Sequence, residues 1–168
     1  IVVRTSKDGE SFRALNDKDY TLTAGHVAIT DDSGLIGLGG IIGGESTGCD
    51  ETTSETFLEV AYFEPSRIAV TGQELQVQSD ARYRFERGVD PAFLEQGAKQ
   101  AVQMILNLCG GTPSQLSING SAKPWQRSIP YHVDRVNRLS GVILSREQQH
   151  RILQNLGFVM DSDSVQPP

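Results

Sequence analysis

Apolar and polar positions alternate in short runs along the first part of the chain, which is the pattern of β-strands. The predicted strands cover residues 1–4, 11–15, 20–23 and 26–30. Turn sequences rich in Asp, Gly and Ser separate them, including Lys7-Asp8-Gly9 and the stretch 31–34. Short strands at this spacing favour a barrel-like or sandwich-like sheet over alternating strands and helices.

A glycine-dense apolar run, LIGLGGIIGGESTG, follows the last of these strands. Six glycines lie between Gly37 and Gly48, which lets the backbone approach a strand, a phosphate or an organic ligand closely. A phosphate loop would need lysine after Gly44, where Glu45 stands, and the dinucleotide fingerprint would need glycine at Ile42. The residues favour a tight strand-turn-strand with bulges.

The next apolar run, TFLEVAYF at 56–63, has high β-propensity and is predicted to be a strand. In a strand, Glu59 shares a face with Phe57 and Ala61, so its carboxylate needs a partner. That partner is either an arginine further along the chain or a ligand that donates a hydrogen bond in a pocket. His26 stands alone, and we expect a surface or capping role for it.

Helical signals begin at Glu64-Pro65-Ser66, with proline in the first turn and Gly72 as the expected end. Beyond this helix, residues 79–91 interleave basic and aromatic side chains. If this stretch is extended, Arg82, Arg84 and Arg87 can contact single-stranded RNA together with the aromatic rings. The alternative is a set of ion pairs that pack the loop.

The longest predicted helix starts at Asp90-Pro91 and ends at Gly110-Gly111. Its apolar stripe is predicted to face a core and consists of Leu94, Ala98, Ala101, Val102, Ile105 and Leu108. A short strand is possible at 115–118. The polar stretch 119–128, with its glycine and proline, is predicted to be a linker.

A separate unit is predicted after the linker, at 129–168. Its order is strand, helix, helix, strand, and Ser145 with Gln148 forms a capping box at the second helix. This order suggests the start of a truncated winged-helix-like module, with its final strands missing. The predicted class is therefore α+β: a barrel-like mixed sheet with flanking helices over 1–118, followed by the truncated module.

Composition narrows the possible functions. The chain has 168 residues, 38% of them hydrophobic, and a formal net charge of −6, which argues against nonspecific nucleic-acid binding over the whole surface. Cys49 and Cys109 have no metal or redox spacing, and we expect two buried thiols. No membrane span, signal peptide or initiator methionine is present in the sequence, and we expect an excised fragment of a longer protein.

Four motifs in order, GLGGIIGGESTG, TFLEVAYFEPSRIA, SDARYRFERGVDP and LNLCGG, resemble the central domain of the β subunits of bacterial phenylalanyl-tRNA synthetases. The resemblance covers about residues 1–118, and the tail at 129–160 resembles the start of the following winged-helix-like module. In that family the central domain is an editing domain that hydrolyses tyrosine wrongly attached to the phenylalanine tRNA. The resemblance implies the same activity here.

The resemblance also implies an editing pocket. Glu59 matches the family's carboxylate that contacts the tyrosine hydroxyl, and Gly43 matches the glycine whose backbone lines the pocket. Ala81 matches the small residue beside the ring, and Ser79 stands where a relative has threonine. No catalytic residue is assigned, because the family's histidine lies in a segment upstream of Ile1, so the fragment alone is expected to be weak or inactive.

The family also implies partners and cofactors. No cofactor or metal is expected in this fragment, whereas ATP and magnesium serve the whole synthetase through its α subunit. The expected partners are the phenylalanine tRNA, the α subunit in an α2β2 heterotetramer, and tyrosine as editing ligand, with no membrane and a cytoplasmic location. The alternative function is a non-catalytic module that binds tRNA or holds a subunit.

Overall fold

A computed structural model describes residues 1–121 and 127–168 of the chain. The chain divides into two compact units, unit 1 at residues 1–123 and unit 2 at residues 124–168. The division falls within the stretch 119–128, of which the residues 122–126 lie outside the described part. Each unit is considered by itself.

Unit 1 begins with six short strands. They are β1 Val2–Thr5, β2 Ser11–Arg13, β3 Asp19–Thr21, β4 Val27–Asp31, β5 Gly34–Leu38 and β6 Ile42–Gly43. Four of them form an antiparallel sheet in the order β1-β4-β5-β6, and β2 and β3 form a separate hairpin. The strands predicted from the alternating pattern are confirmed, with ends that differ by one or two residues.

The expected barrel does not form from the described residues. The four-stranded sheet is open, with β1 and β6 at its edges. The hairpin reaches β6 only at its end, where the Leu15 amide donates to the Gly43 carbonyl at 3.0 Å and Ala14 bridges Gly44. A barrel requires every strand to pair on both sides, and these strands are too few and too short to close the sheet.

The stretch 56–63 has no regular secondary structure, so the predicted strand there is wrong. A strand needs a neighbour that takes its backbone hydrogen bonds, and no described strand lies beside this stretch. Burial still follows the predicted alternation near its end. Phe63 is buried and Ala61 is half-buried, whereas Tyr62 is exposed.

Three helices complete unit 1: α1 Pro65–Glu74, α2 Asp80–Phe85 and α3 Leu94–Cys109. The Glu64 carboxylate caps α1, Asp90 caps a short 3-10 turn that leads into α3, and Gly110 ends α3 with a φ of 75°. The stretch 79–91, considered as extended, is thus partly helical. The possible strand at 115–118 does not form.

Gly72 lies inside α1 and does not end it, which corrects the predicted boundary. Glycine stands at this position because of a tertiary contact, since the Arg82 side chain crosses the helix here. A Cβ on Gly72 would lie 2.2 Å from the Arg82 Nε. Glycine is therefore required there for close approach of a side chain and not for a helix end.

One core lies between the sheet, the hairpin and the first helix. Its most deeply buried large side chains are Leu22, Ile41, Ile68 and Val77. The predicted stripe of α3 is only partly covered: Ala98 is buried, whereas Leu108 is 79% exposed. Cys49 and Cys109 are both exposed, so the expectation of two buried thiols is wrong.

Unit 2 contains β7 Ile129–Pro130, α4 Val133–Ser140, α5 Arg146–Asn155, β8 Val159–Met160 and β9 Ser164–Gln166. The capping box of Ser145 and Gln148 is confirmed, and Gly141 ends α4 in the left-handed conformation. The described residues contain one strand beyond the predicted order, β9, which pairs with both β7 and β8 in an antiparallel sheet. The winged-helix-like identity of this unit stays a prediction.

A buried glutamine holds the helices of unit 2. The Gln149 side chain accepts a hydrogen bond from the Tyr131 hydroxyl and donates to the Leu144 carbonyl at 3.0 Å. Asn137 fixes the same turn, since its side chain accepts from the Leu144 amide at 3.0 Å.

None of the helices in the described parts of the chain combines the length and apolar character that a membrane span requires.

Glycines in the run 37–48 allow close packing of protein against protein. A Cβ on Gly39 would lie 2.7 Å from both the Phe63 ring and the Val27 side chain, and one on Gly44 would lie 2.7 Å from the Ile36 carbonyl oxygen. Gly40 additionally has a φ of 69°, which favours glycine. A buried phenylalanine ring and a neighbouring strand are therefore what approaches this backbone.

We expect Gly39→Ala to lower the free energy of unfolding of the chain by about 1–3 kcal/mol, the usual cost of overpacking a core. The added methyl group would press on the Phe63 ring, which is buried and cannot easily move. Urea unfolding followed by circular dichroism measures the difference. Gly37→Ala is the matched control, because its Cβ would meet its neighbours at 3.4 Å, an ordinary contact distance. Equal losses for both variants would contradict the packing argument.

Candidate functional site

Glu59 lies in the irregular stretch between Gly48 and Pro65, and the residue is exposed. Partial desolvation nevertheless raises the pKa of its carboxyl group above the ordinary value. Burial is the sole cause of this shift, and no hydrogen bond or ion pair within the described residues offsets it. The arginine partner considered from the sequence is thus absent from the part of the chain that the structure describes.

Gly43 lies in β6 at the edge of the sheet, opposite Gly37 of β5. Its carbonyl accepts a hydrogen bond from the Leu15 amide, so this backbone oxygen is already engaged. The direction in which a side chain would point is occupied by Leu15, at 3.2 Å from an ideal Cβ. The exposed backbone at Gly43 therefore has Leu15 as its apolar neighbour.

Ser79 and Ala81 lie at the N-terminus of α2. The Ser79 hydroxyl donates to the Ile41 carbonyl at 2.6 Å and accepts from the Arg82 amide at 3.0 Å. It thereby caps α2 and ties the helix to the glycine run two residues before Gly43. Ala81 is half-buried in the first turn of α2.

The structure links Ser79 by a hydrogen bond to Ile41, two residues before Gly43 in the chain. Among the described residues, no hydrogen bond joins the Glu59 side chain to either of them. None of the four predicted pocket residues lines either of two open clefts, of about 480 and 340 Å³, in the described part of the chain.

The larger cleft was not foreseen from the sequence. It is lined by Ser11, Phe12, Arg13, Ser33, Leu35, Glu45 and Ser46. The Arg13 guanidinium pairs with Glu45 at 2.9 Å and with Asp19 at 3.2 Å. Arg13 and Glu45 are far apart in sequence and share no motif, so only the fold could reveal their pairing.

The three arginines proposed for RNA contacts have different environments. The Arg82 guanidinium donates to the Gly72 and Val77 carbonyls at 2.9 and 2.7 Å and pairs with Glu86 at 3.0 Å. The Arg87 guanidinium also pairs with Glu86, and it lies 3.8 Å from the centroid of the Tyr83 ring. The ion-pair alternative therefore describes both, whereas Arg84 is exposed.

His26 is buried, so the expected surface role is wrong. Its Nε2 lies 2.8 Å from a carboxylate oxygen of Glu74 at the end of α1, and its Nδ1 is buried without a hydrogen-bond partner. No local signal could have indicated this contact, because 48 residues separate the two side chains. Within the described residues, no group of three or more His, Cys, Asp or Glu side chains is arranged to hold a metal ion.

The sequence of the chain is similar to a known domain family and to named proteins. Residues 1–110 match the B3/4 domain family. The whole chain is 47% identical to the phenylalanine–tRNA ligase beta subunit of Paramagnetospirillum magneticum, and 99% of it is covered at 48% identity by that of Rhodospirillum rubrum. The same subunit of Brucella abortus is 44% identical over 97% of the chain.

These matches confirm the resemblance drawn from the four sequence motifs. The chain spans 22% of the first of these relatives and 21% of the second, about a fifth of their length. The family match covers most of unit 1. It therefore concerns the elements that carry all seven predicted site residues.

We expect Arg82→Met to lower the free energy of unfolding by about 1–3 kcal/mol, because the Val77 carbonyl loses its donor and the Gly72 carbonyl keeps only the Val77 amide. Arg84→Met is the matched control, an exposed arginine on the same helix, and should change stability by less than about 0.5 kcal/mol. Denaturant unfolding of both variants measures the effect. If the two variants were equally stable, the structural role of Arg82 would be refuted.

We expect Glu59→Gln to raise the free energy of unfolding near neutral pH. The pKa of Glu59 is higher in the folded than in the unfolded chain, so the folded state binds this proton more tightly. The stability of the parent chain therefore falls as pH rises from the unfolded pKa through the folded pKa. The gain from the amide should shrink from about pH 7 to about pH 4, where the parent carboxyl is protonated.

Thermal or urea unfolding of the parent and Glu59→Gln chains across this pH range measures the difference. Glu55→Gln provides the control, since Glu55 is an exposed carboxylate in the same stretch. A variant that is less stable than the parent near pH 7 would mean that the Glu59 carboxylate is stabilised by a partner.

Proposed function

The chain belongs to the B3/4 domain family, and from this premise we propose that unit 1 is an editing domain of a phenylalanine–tRNA ligase β subunit. Its reaction is the hydrolysis of tyrosine wrongly attached to the phenylalanine tRNA. The similarity to named β subunits over almost the entire chain supports the assignment to that subunit. The editing reaction itself is supported by the environment of Glu59.

Editing has a physical reason in an enzyme that selects phenylalanine. A pocket shaped for a phenyl ring rejects an added hydroxyl group only weakly, so some tyrosine is attached in error. A second pocket that pairs the hydroxyl with a polar group discriminates in the opposite sense. Phenylalanine would leave that polar group without a partner, which costs binding free energy.

The observation that carries the proposal is the carboxyl group of Glu59, which is partly desolvated and has no partner within 1–121 and 127–168. A raised pKa without a compensating partner means that this carboxylate costs stability where it lies. Groups that are kept in such positions are candidates for ligand binding, because a ligand can supply the missing hydrogen bond. A phenol hydroxyl is a suitable donor to a carboxylate.

The chemistry is ester hydrolysis by a positioned water molecule. Water adds to the carbonyl carbon of the aminoacyl ester, and the bond from that carbon to the ribose oxygen breaks, releasing tyrosine and uncharged tRNA. Glu59 recognises the side chain of the amino acid and need not act as the base. Holding the ester and the water in the correct geometry supplies a large part of the rate enhancement.

The remaining proposals concern the complete protein. By family membership, the synthetase attaches phenylalanine to its tRNA with ATP and magnesium. The α subunit supplies that site in an α2β2 heterotetramer in the cytoplasm. Unit 2 is proposed to be the winged-helix-like module that follows the editing domain, which agrees with its order of strand, helix, helix, strand, strand.

A binding or scaffold role is the alternative. It is favoured by apolar side chains that lie exposed on unit 1, namely Phe57 at 73%, Met104 at 63% and Leu108 at 79%. Such side chains are typical of surfaces that dock another chain or RNA. The contacts of Arg82 and Arg87 within unit 1 argue against an RNA surface built on these arginines.

We expect Glu59→Ala in the complete synthetase to slow the clearance of tyrosyl-tRNA about 10- to 100-fold, the usual value of a hydrogen bond to a charged group. The attachment of phenylalanine should be unchanged. Release of labelled tyrosine from pre-charged tRNA measures the first rate, and ATP-dependent charging measures the second.

Glu55→Ala is the control, because it removes an exposed carboxylate from the same stretch without touching the proposed contact. Titration of free tyrosine and free phenylalanine into the complete synthetase tests recognition directly. Unchanged tyrosine clearance by Glu59→Ala would refute the editing role and leave the scaffold role.

A further inference from the structure

Phe63 lies where three elements of unit 1 meet. The residue is only 7% exposed, and its ring packs on the backbone of the glycine run: a Cβ would lie 2.7 Å from the ring at Gly39 and 2.9 Å at Gly40. The same ring meets the ring of Phe85 edge to face, with centroids 5.2 Å apart. One side chain therefore joins the glycine run, the stretch 56–63 and helix α2.

Each of these elements carries a predicted pocket residue. Gly43 follows Gly40 by three residues, and Glu59 precedes Phe63 by four residues. Ser79 and Ala81 lie on the first turn of α2, which ends at Phe85. The Phe63 ring is the packing contact that these elements share.

Another contact joins two of these elements, whereas Phe63 is the one fully buried side chain in the stretch 56–63, where Ala61 is half-buried. The Ser79–Ile41 hydrogen bond already ties α2 to the glycine run. The stretch before Phe63 has no strand partner in the described residues, and Glu59 itself makes no hydrogen bond there. Beyond Phe63 the chain is fixed at once, because the Glu64 carboxylate accepts from the Arg67 amide at 2.9 Å.

We propose that Phe63 is a positioning residue that anchors the stretch carrying Glu59 against the glycine run and α2, and thereby sets selectivity for tyrosine over phenylalanine. This inference rests on the proposed editing function. A smaller side chain would leave a gap against Gly39 and Gly40. The stretch before it would then lose its only deeply buried anchor, and the carboxylate would no longer be held where the phenol hydroxyl arrives.

The test uses the complete synthetase with Phe63→Leu. We expect the ratio of hydrolysis rates for tyrosyl-tRNA over phenylalanyl-tRNA to fall at least about fivefold, since misplacement weakens only the contact that separates the two substrates. Charging with phenylalanine should be unchanged. Phe63→Met, whose flexible side chain fills more of the gap, provides a second variant if Phe63→Leu folds poorly.

Phe12→Leu is the matched control. Phe12 is a buried phenylalanine of the same core, 8% exposed, and its ring contacts Tyr20 in the β2–β3 hairpin. Simple loss of stability lowers the amount of folded protein and reduces both hydrolysis rates by the same factor, so the ratio stays constant. An unchanged ratio in both Phe63 variants, or an equal fall in Phe12→Leu, would overturn the inference.

Glu59→Ala in the same assay separates the two proposals. If it lowers the ratio while the Phe63 variants do not, the positioning role alone is wrong. If Glu59→Ala leaves the ratio unchanged, the editing function fails and the role of Phe63 fails with it. A fall in the ratio for Glu59→Ala and for a Phe63 variant, but not for Phe12→Leu, supports both.

Discussion

The packing of one phenylalanine ring on two glycines organises unit 1. Phe63 can approach the backbone of Gly39 and Gly40 only because neither residue has a Cβ, and Val27 and Ile68 close the same contact from the sheet and from α1. Interiors at native density tolerate little extra volume, so these positions depend on one another. This contact fixes the positions of the glycine run, the stretch 56–63 and α2 relative to one another, and these elements carry the predicted pocket residues.

Two polar side chains add further contacts between the same elements of unit 1. The Ser79 hydroxyl links α2 to the glycine run, and the Arg82 guanidinium links α2 to the end of α1 through two backbone carbonyls. Both side chains stand in the stretch that was considered for RNA binding. The hydrogen bonds from Ser79 and Arg82 to buried carbonyls are consistent with the helical structure of that stretch. They indicate a structural role for Arg82.

Glu59 differs from these residues in having no partner among the described residues. The paired carboxylate of Glu10 provides the contrast: the Arg4 guanidinium and the Lys7 amide lower its pKa to about 2. Partial desolvation without a partner among the described residues raises the pKa of Glu59 instead. This unpaired, partly desolvated carboxyl group is the feature on which the proposed binding role of Glu59 rests.

Local sequence determined the short strands, the caps at Glu64, Asp90 and Ser145 and the helix end at Gly110, because turn residues and caps act through their nearest neighbours. It also singled out Glu59, since a carboxylate within an apolar run conflicts with burial. Only the tertiary structure decided that 56–63 pairs with none of the described strands, that Gly72 stays within a helix under Arg82, and that His26 contacts Glu74. Those outcomes depend on contacts between residues far apart in the chain, which no local pattern records.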